Sequence, residues 1–304
     1  MRVVTTFADA RAAFRRPVGL VPTMGFLHEG HLSHVAAARE RDATVVMSLF
    51  VNPLQFGEGE DLARYPRDLA RDEELAADVG VDVLFAPSLE EMYPAPPVTR
   101  VLVAGLVDRM EGAARPGHFA GVATVVAKLL ASLAPDRAYF GRKDAQQLTV
   151  VRRMVGDLSF PVEIAAGPTV RHADGLALSS RNAYLSATER RAALSLSRGL
   201  MHAADAAEAG ERDARVLEET AFAHMAREPG VEPEYVELAS AVDVDRLDRL
   251  DQTSFLAAAI RVGAVRLIDN VWFDIGDAGI AVDRGVRLSG PSVLEALSAL
   301  EGIR

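Results

Sequence analysis

The feature that most constrains this chain is an alternation. Short apolar runs rich in β-branched residues are separated by amphipathic stretches with helical spacing. VGLVPT (18–23) precedes a helical stretch from about Gly30 to Arg41, and TVVMSLFV (44–51) follows. A helix near Leu69–Val79 leads into VDVLFAP (81–87). Then come a helix over Gly121–Leu133, a strand at RAYF (137–140), a helix over Ala145–Val155 and a strand at VEIAAG (162–167). Strands that are apolar throughout must be covered on both faces, which is the condition of parallel strands joined by crossover helices. The first half is therefore expected to be an α/β domain built on a parallel sheet.

The alternation stops near residue 170. Residues 186–227 read as long Ala-rich helices, and EYVELA (234–239), FLAAAI (255–260) and VRLIDNV (265–271) read as strands. A helical pair with strands but no alternation implies a smaller α+β domain, so the expected division is 1–169 and 170–304. The stretch from Phe273 to Arg304 carries no motif and one expected helix, Ser292–Leu300.

With 304 residues, 49% of them hydrophobic, one large or two unequal domains can each bury a core. There are no cysteines, which removes disulfides, thiolate-bound zinc, iron–sulfur clusters and thiol catalysis, and agrees with a reducing cytoplasm. The N-terminal residues lack a signal-peptide pattern, and no apolar run is long enough to span a bilayer. The formal net charge of −10, without a basic stripe, disfavours a nucleic-acid partner. A small anionic substrate stays possible, because charge in a cleft can oppose the global sign.

Four segments fall where an open parallel sheet places ligands, beyond the carboxyl ends of its strands. The first is Pro22–His31, in which Gly25 permits close backbone approach and Gly30 opens a helix whose N-terminal amides favour phosphate. His28 and His31 bracket that turn and can stabilise charge on a leaving pyrophosphate. Their spacing is not the i, i+4 pair of an H-E-x-x-H zinc site. The second is Phe50–Gly57, where Gln55 offers both donors and acceptors to a hydroxy acid or is simply a solvated loop residue. In the third, Phe140–Gln147, Lys143 is placed as a point charge for phosphate. There Asp144 is either a site residue or a helix cap, and Gln147 lies one turn on. The fourth, Asp174–Asn182, joins an Asp-Gly turn to Ser179, Ser180 and Arg181, a phosphate clamp or an exposed turn.

Together PTMGFLHEGH, FVNPLQFG, HFAGVATVVAKLL, FGRKDAQQL and DGLALSSRN resemble the pantoate–β-alanine ligases, HxGH-type nucleotidyltransferases, from about Val18 to Asn270. The resemblance implies a Rossmann-like N-terminal domain bearing the site, a smaller C-terminal lid, Mg²⁺ and a homodimer. It implies a pantoyl-adenylate made from ATP and pantoate, with the acyl group passed to β-alanine. ATP would lie along Met24, Gly25, His28, Gly30 and His31, then Gly141, Lys143 and Asp144, then Val170, Leu178, Ser179, Ser180 and Arg181. His28, His31 and Lys143 would serve catalysis. Gln55 and Gln147 match pantoate contacts, while Asn52, Tyr65, Arg115 and His118 match further cleft positions. Asp72, beside Glu73, is the metal candidate, or else a solvated charge on a helix face. Another HxGH nucleotidyltransferase, or a nucleotide-binding regulator of the same fold, is the alternative.

Three departures from the pattern stand out: Arg142 where an acid is usual, His172 where an acid is usual, and the tail beyond about Val271. Arg142 is expected to act at long range on the nucleotide, and deletion of residues 276–304 is expected to leave adenylate formation intact.

Overall fold

The computed structural model describes residues 1–276 and 279–295. The chain divides into two units, residues 1–141 with 150–167, and residues 142–149 with 168–304. The second unit thus begins at Pro168 and also takes in the start of a helix, 142–149, that the sequence reading assigned to the first.

In the first unit the strands are β1 (Arg2–Val4), β2 (Val18–Thr23), β3 (Thr44–Leu49), β4 (Val83–Phe85), β5 (Arg137–Gly141) and β6 (Glu163–Gly167). They form one sheet in the order β1-β4-β3-β2-β5-β6, and every pairing is parallel. The expected Rossmann-like α/β architecture is what is found. Helices α1 (Phe7–Ala12), α2 (Glu29–Arg39), α3 (Leu69–Asp78), α4 (Leu89–Met92), α5 (Met110–Ala114) and α6 (His118–Leu133) fall between the strands. One core gathers Val21, Val45, Met47 and Leu84 from the strands with Val35, Ala38 and Ala76 from the helices. β1 was not anticipated, because a three-residue run too short to show a period gains its identity only by pairing with β4.

Helix α7 (Ala145–Asp157) follows a 3₁₀ turn at Arg142–Asp144. The second unit then holds β7 (Val170–Arg171), α8 (Ala187–Glu208), α9 (Ala214–Ala226), β8 (Val231–Ser240), β9 (Ser254–Val262), β10 (Val265–Gly276), β11 (Gly279–Asp283) and β12 (Val286–Arg287). Strands β11-β10-β9-β8 make an antiparallel sheet, and α8 and α9 bury their apolar faces on it through residues such as Leu196, Leu200, Leu217, Leu256 and Ile260. The stretch after Phe273 is not a featureless extension. It completes β10, adds β11, and supplies β12, which pairs in parallel with β7. The helix expected over Ser292–Leu300 lies mostly outside the described residues, which end at Glu295.

Candidate active site

In the first unit the chain leaves β2 and turns sharply before α2. Gly25 has φ +85° and Phe26 has φ +51°, so two successive residues occupy the left-handed region. This loop is held from α3. The buried carboxylate of Asp72 accepts the N–H of Phe26 and that of Leu27, each at 2.7 Å. Arg71 donates to the Leu27 carbonyl at 2.8 Å and stacks its guanidinium 5.0 Å from the Phe26 ring centroid. Asp72 thus anchors the loop: each oxygen accepts a backbone N–H, and the group is 1% exposed, so it is not the solvated charge on a helix face that its sequence allowed. Burial raises its pKa, against the lowering effect of the Leu27 and Phe26 N–H groups. Among the described residues no cluster of three or more His, Cys, Asp or Glu could hold a metal ion.

The anchored loop delivers His28 as the N-cap of α2. Its Nδ1 accepts from the N–H of Gly30 at 3.2 Å, while its own N–H donates to Nδ1 of His31 at 3.3 Å. With both Nδ1 atoms accepting from backbone, a neutral ring carries its proton on Nε2 at both residues. The two rings lie 4.1 Å apart between centroids. Gly30 lets the ring lie this close, since a Cβ there would stand 2.9 Å from Cε1 of His28 and the ring would have to shift.

The segment after β3 is built from amides. Asn52 is 1% exposed; its Nδ2 donates to the Gly121 carbonyl and to Gln55 Oε1, and its Oδ1 accepts from the Tyr93 hydroxyl at 3.0 Å. Gln55, also buried, directs its Nε2 to the Met24 sulfur at 3.0 Å, joining this segment to the β2 turn. Gly121 of α6 permits the approach, because a Cβ there would stand 2.2 Å from the Leu54 carbonyl oxygen. His118 Nδ1 lies 2.8 Å from the Gln55 carbonyl, and Arg115 reaches His118 Nε2 at 3.2 Å. A carbonyl only accepts and a guanidinium only donates, so His118 is fixed as the neutral Nδ1–H tautomer. Burial and the Arg115 charge push its pKa down to about 4. Arg115 in turn makes a two-pronged pair with Glu60, at 2.9 and 2.6 Å. Burial opposes the charge on Glu60, but Arg115 outweighs it and the pKa is lowered. Tyr65 is buried, its ring edge-on to Phe56. Gly141 ends β5.

In the second unit Lys143 follows Arg142 in the 3₁₀ turn, with its ammonium 3.8 Å from the Asp144 carboxylate. Its main chain is fixed by β10: Asn270 Nδ2 donates to the carbonyls of Lys143 (2.6 Å) and Arg142 (3.0 Å), and Trp272 Nε1 donates to the latter at 3.0 Å. Asn270 and Trp272 were missed in the sequence. The available signal was a polar Asp-Asn pair inside the apolar run VRLIDNV. The Arg142 side chain is paired with carboxylates. It pairs with Asp274 (3.1 Å) and Asp283 (2.9 Å), and lies 5.0 Å from the Trp272 ring centroid.

Val170 sits in β7 and is buried, as is Leu178, whose N–H donates to the Val170 carbonyl. Ser179 caps a 3₁₀ turn over Ser180–Tyr184. Its hydroxyl accepts from the Arg181 N–H, and its own N–H donates to Asn182 Oδ1 at 2.7 Å. Ser180 is buried and Arg181 partly so. Gln147 lies in the first turns of α7, half-buried.

The model of the family described as pantoate-beta-alanine ligase matches residues 2–272. The chain belongs to the pantoate–β-alanine ligase family. A pantothenate synthetase of Moorella thermoacetica is 53% identical over 283 residues, covering 91% of this chain and 100% of that protein. One from Roseiflexus castenholzii is 52% identical over 273 residues, covering 89% and 98%. Among solved structures, the pantothenate synthetase of Thermus thermophilus matches with a TM-score of 0.86 at 50% identity, covering 89% of this chain and 98% of that one. The Francisella tularensis pantoate-beta-alanine ligase complexed with beta-gamma ATP and beta-alanine matches with a TM-score of 0.73 at 33% identity, covering 89% and 97%. As a member of this ligase family the chain is an enzyme.

Proposed function

We propose that this ligase activates pantoate on ATP as pantoyl-adenylate and transfers the pantoyl group to the amine of β-alanine, releasing AMP and pyrophosphate. The observation that carries the reading is the pair of imidazoles at the start of α2, with both Nδ1 atoms used by the backbone and any neutral-ring proton on Nε2. Such donors, at the positive end of a helix, suit the charge that builds on a departing pyrophosphate. The pantoate carboxylate attacks the α-phosphorus, and the bond to pyrophosphate breaks. Phosphorus displacement asks for positioning and charge neutralisation, which Lys143, Ser179, Ser180 and Arg181 would supply alongside His28 and His31. The amine of β-alanine then attacks the acyl carbon, AMP departs with the bonding pair, and the amine loses a proton.

Gln55 and Gln147 are read as the pantoate contacts. Asn52, locked by its own bonds, positions Gln55, and the Arg115–His118 pair supports the same segment. ATP is taken as its Mg²⁺ complex, with the ion held by the nucleotide as part of the substrate. The cysteine-free composition is in keeping with a cytoplasmic setting, and the resemblance supports a homodimer, which sedimentation would check.

The test is isotope exchange between pyrophosphate and ATP. Exchange should require pantoate and be independent of β-alanine, and the complete reaction should yield AMP. ADP as product, or exchange without pantoate, would remove the adenylate from the mechanism.

A further inference from the structure

The family match ends at residue 272, yet the chain continues into a folded segment that reaches back to β7. Leaving β11, the backbone turns at Gly285, whose φ is +78°; a Cβ there would stand 2.2 Å from the Thr169 carbonyl oxygen, so only glycine allows the approach. The N–H of Val286 donates to that carbonyl at 2.8 Å and the N–H of Leu288 to the Arg171 carbonyl at 2.9 Å. These two bonds pin the segment alongside the strand that leads into the Asp174–Asn182 turn.

Further on, Glu295 enters the same turn. Its Oε1 accepts from Arg190 at 2.6 Å and lies 3.3 Å from Nδ1 of His172, while its Oε2 accepts the N–H of Ser292 at 2.8 Å. His172 is 1% exposed, and its Nδ1 makes no hydrogen bond of good geometry; the Glu295 carboxylate is the anion it faces, as an ion pair when the ring carries both protons. The other ring nitrogen, Nε2, is 3.4 Å from Oδ1 of Asn182. That same oxygen accepts the Ser179 N–H at 2.7 Å. The Arg190 guanidinium also pairs with Asp174, so both ends of the turn are tied to one carboxylate from the tail. Contacts therefore run without a gap from Glu295 through His172 and Asn182 to Ser179.

We infer that Glu295, outside the region shared with the family, is a positioning residue for the Ser179–Arg181 turn, acting through His172 and Asn182 to hold that turn in its phosphate-binding shape. The inference rests on the assignment of Ser179, Ser180 and Arg181 to ATP made above. Physically, both ring nitrogens face acceptor oxygens, Glu295 Oε1 and Asn182 Oδ1, and only a ring carrying both protons serves the two sides at once. The Glu295 carboxylate supports that form of the ring, and Arg190 and the Ser292 amide hold the carboxylate still; without it the ring would lose its hold on the oxygen that fixes Ser179.

The experiment measures pantoate-dependent pyrophosphate–ATP exchange with full-length wild type, Glu295→Ala, Glu295→Gln, Glu295→Asp, His172→Ala and the pair Glu295→Ala/His172→Ala, well below each protein's melting temperature. Losing one such hydrogen-bonded constraint should raise the KM for ATP about 3–10-fold in Glu295→Ala, with the KM for pantoate unchanged. Glu295→Asp should recover part of the loss, and adding His172→Ala to Glu295→Ala should raise the ATP KM little further, because the two act on one path. A fall in kcat with both KM values unchanged would mean that only folded enzyme had been lost, and would overturn the inference. So would an unchanged ATP KM, or fully additive effects. If Glu295→Ala does not fold, the isosteric Glu295→Gln carries the same comparison. Wild-type enzyme without pantoate-dependent exchange would instead defeat the adenylate mechanism itself, so the two failures are distinct.

Discussion

The carboxylate of Asp72 accepts the backbone N–H of Leu27 at 2.7 Å, across 45 positions of sequence, and so sets the path of the loop that presents His28 and His31. Replacing Asp72 with Asn keeps one acceptor but loses the charge and turns one side toward a donor. Hydrogen bonds to a charged group contribute about 1.5–3 kcal/mol, so Asp72→Asn should lower the melting temperature by several degrees and depress kcat. Raising the Mg²⁺ concentration should restore neither. Recovery of activity with added Mg²⁺ would return Asp72 to the list of metal contacts.

His31→Ala and Lys143→Ala should each lower kcat/KM for ATP by roughly 10²–10³, the range for losing one transition-state donor. Gln55→Ala should act chiefly on the KM for pantoate. Steady-state kinetics with each substrate varied decides this. A His31→Ala enzyme turning over near the wild-type rate would take that residue out of catalysis.

His118 should titrate near pH 4 in the folded protein, well below the ordinary 6.5, because burial and Arg115 disfavour its cation. The sign follows from linkage. The unfolded chain takes up a proton as pH falls through 6.5 while the folded protein resists until about 4, so the stabilising contribution is full above 6.5 and lost between 6.5 and 4. NMR of the imidazole, with His118→Gln to assign the resonance, should give this midpoint. A midpoint at the ordinary value would mean that the Gln55 and Arg115 contacts do not persist.

Arg142→Glu should destabilise the second unit rather than tune ATP binding from a distance. It removes two partly exposed ion pairs worth about 1 kcal/mol or less each, and sets a third carboxylate beside Asp274 and Asp283. The melting temperature should fall by a few degrees at low salt and recover partly at high salt. An unchanged melting temperature with a raised KM for ATP would favour the long-range role instead.

Asp269→Ala should be among the most damaging single changes. Asp269 holds Arg171 two-pronged at 2.6 and 3.1 Å, and both side chains are about 1% exposed. Removing one member leaves an uncompensated buried charge, at a cost of about 3–5 kcal/mol. Chemical denaturation should show that loss, and a change under about 1 kcal/mol would mean that water reaches the pair.

Much of the molecule was legible before folding. β2 and β3 follow from apolar runs that only a two-sided burial explains, and α2 and α6 from their helical spacing. Gly25 and Gly30 could be placed at the strand-to-helix turn from their position alone, one freeing the backbone and the other opening the helix. These are local signals, carried by a residue and those within a turn or a strand of it. Asp72 was different: on its own helix it reads as one more surface acid, and its role exists only because α3 lies against the β2–α2 loop. Asn270, Trp272, Arg142 and the tail are of the same kind. Lys143 is fixed by a strand more than a hundred residues away, and β12 is too short to be a strand until β7 lies beside it. Sequence by itself determined the longer elements and the chemistry their turns can offer, since propensity and periodicity are local. Tertiary structure alone decided which buried polar groups hold those turns in shape, because a hydrogen bond across the chain leaves no periodic trace in either partner's neighbourhood.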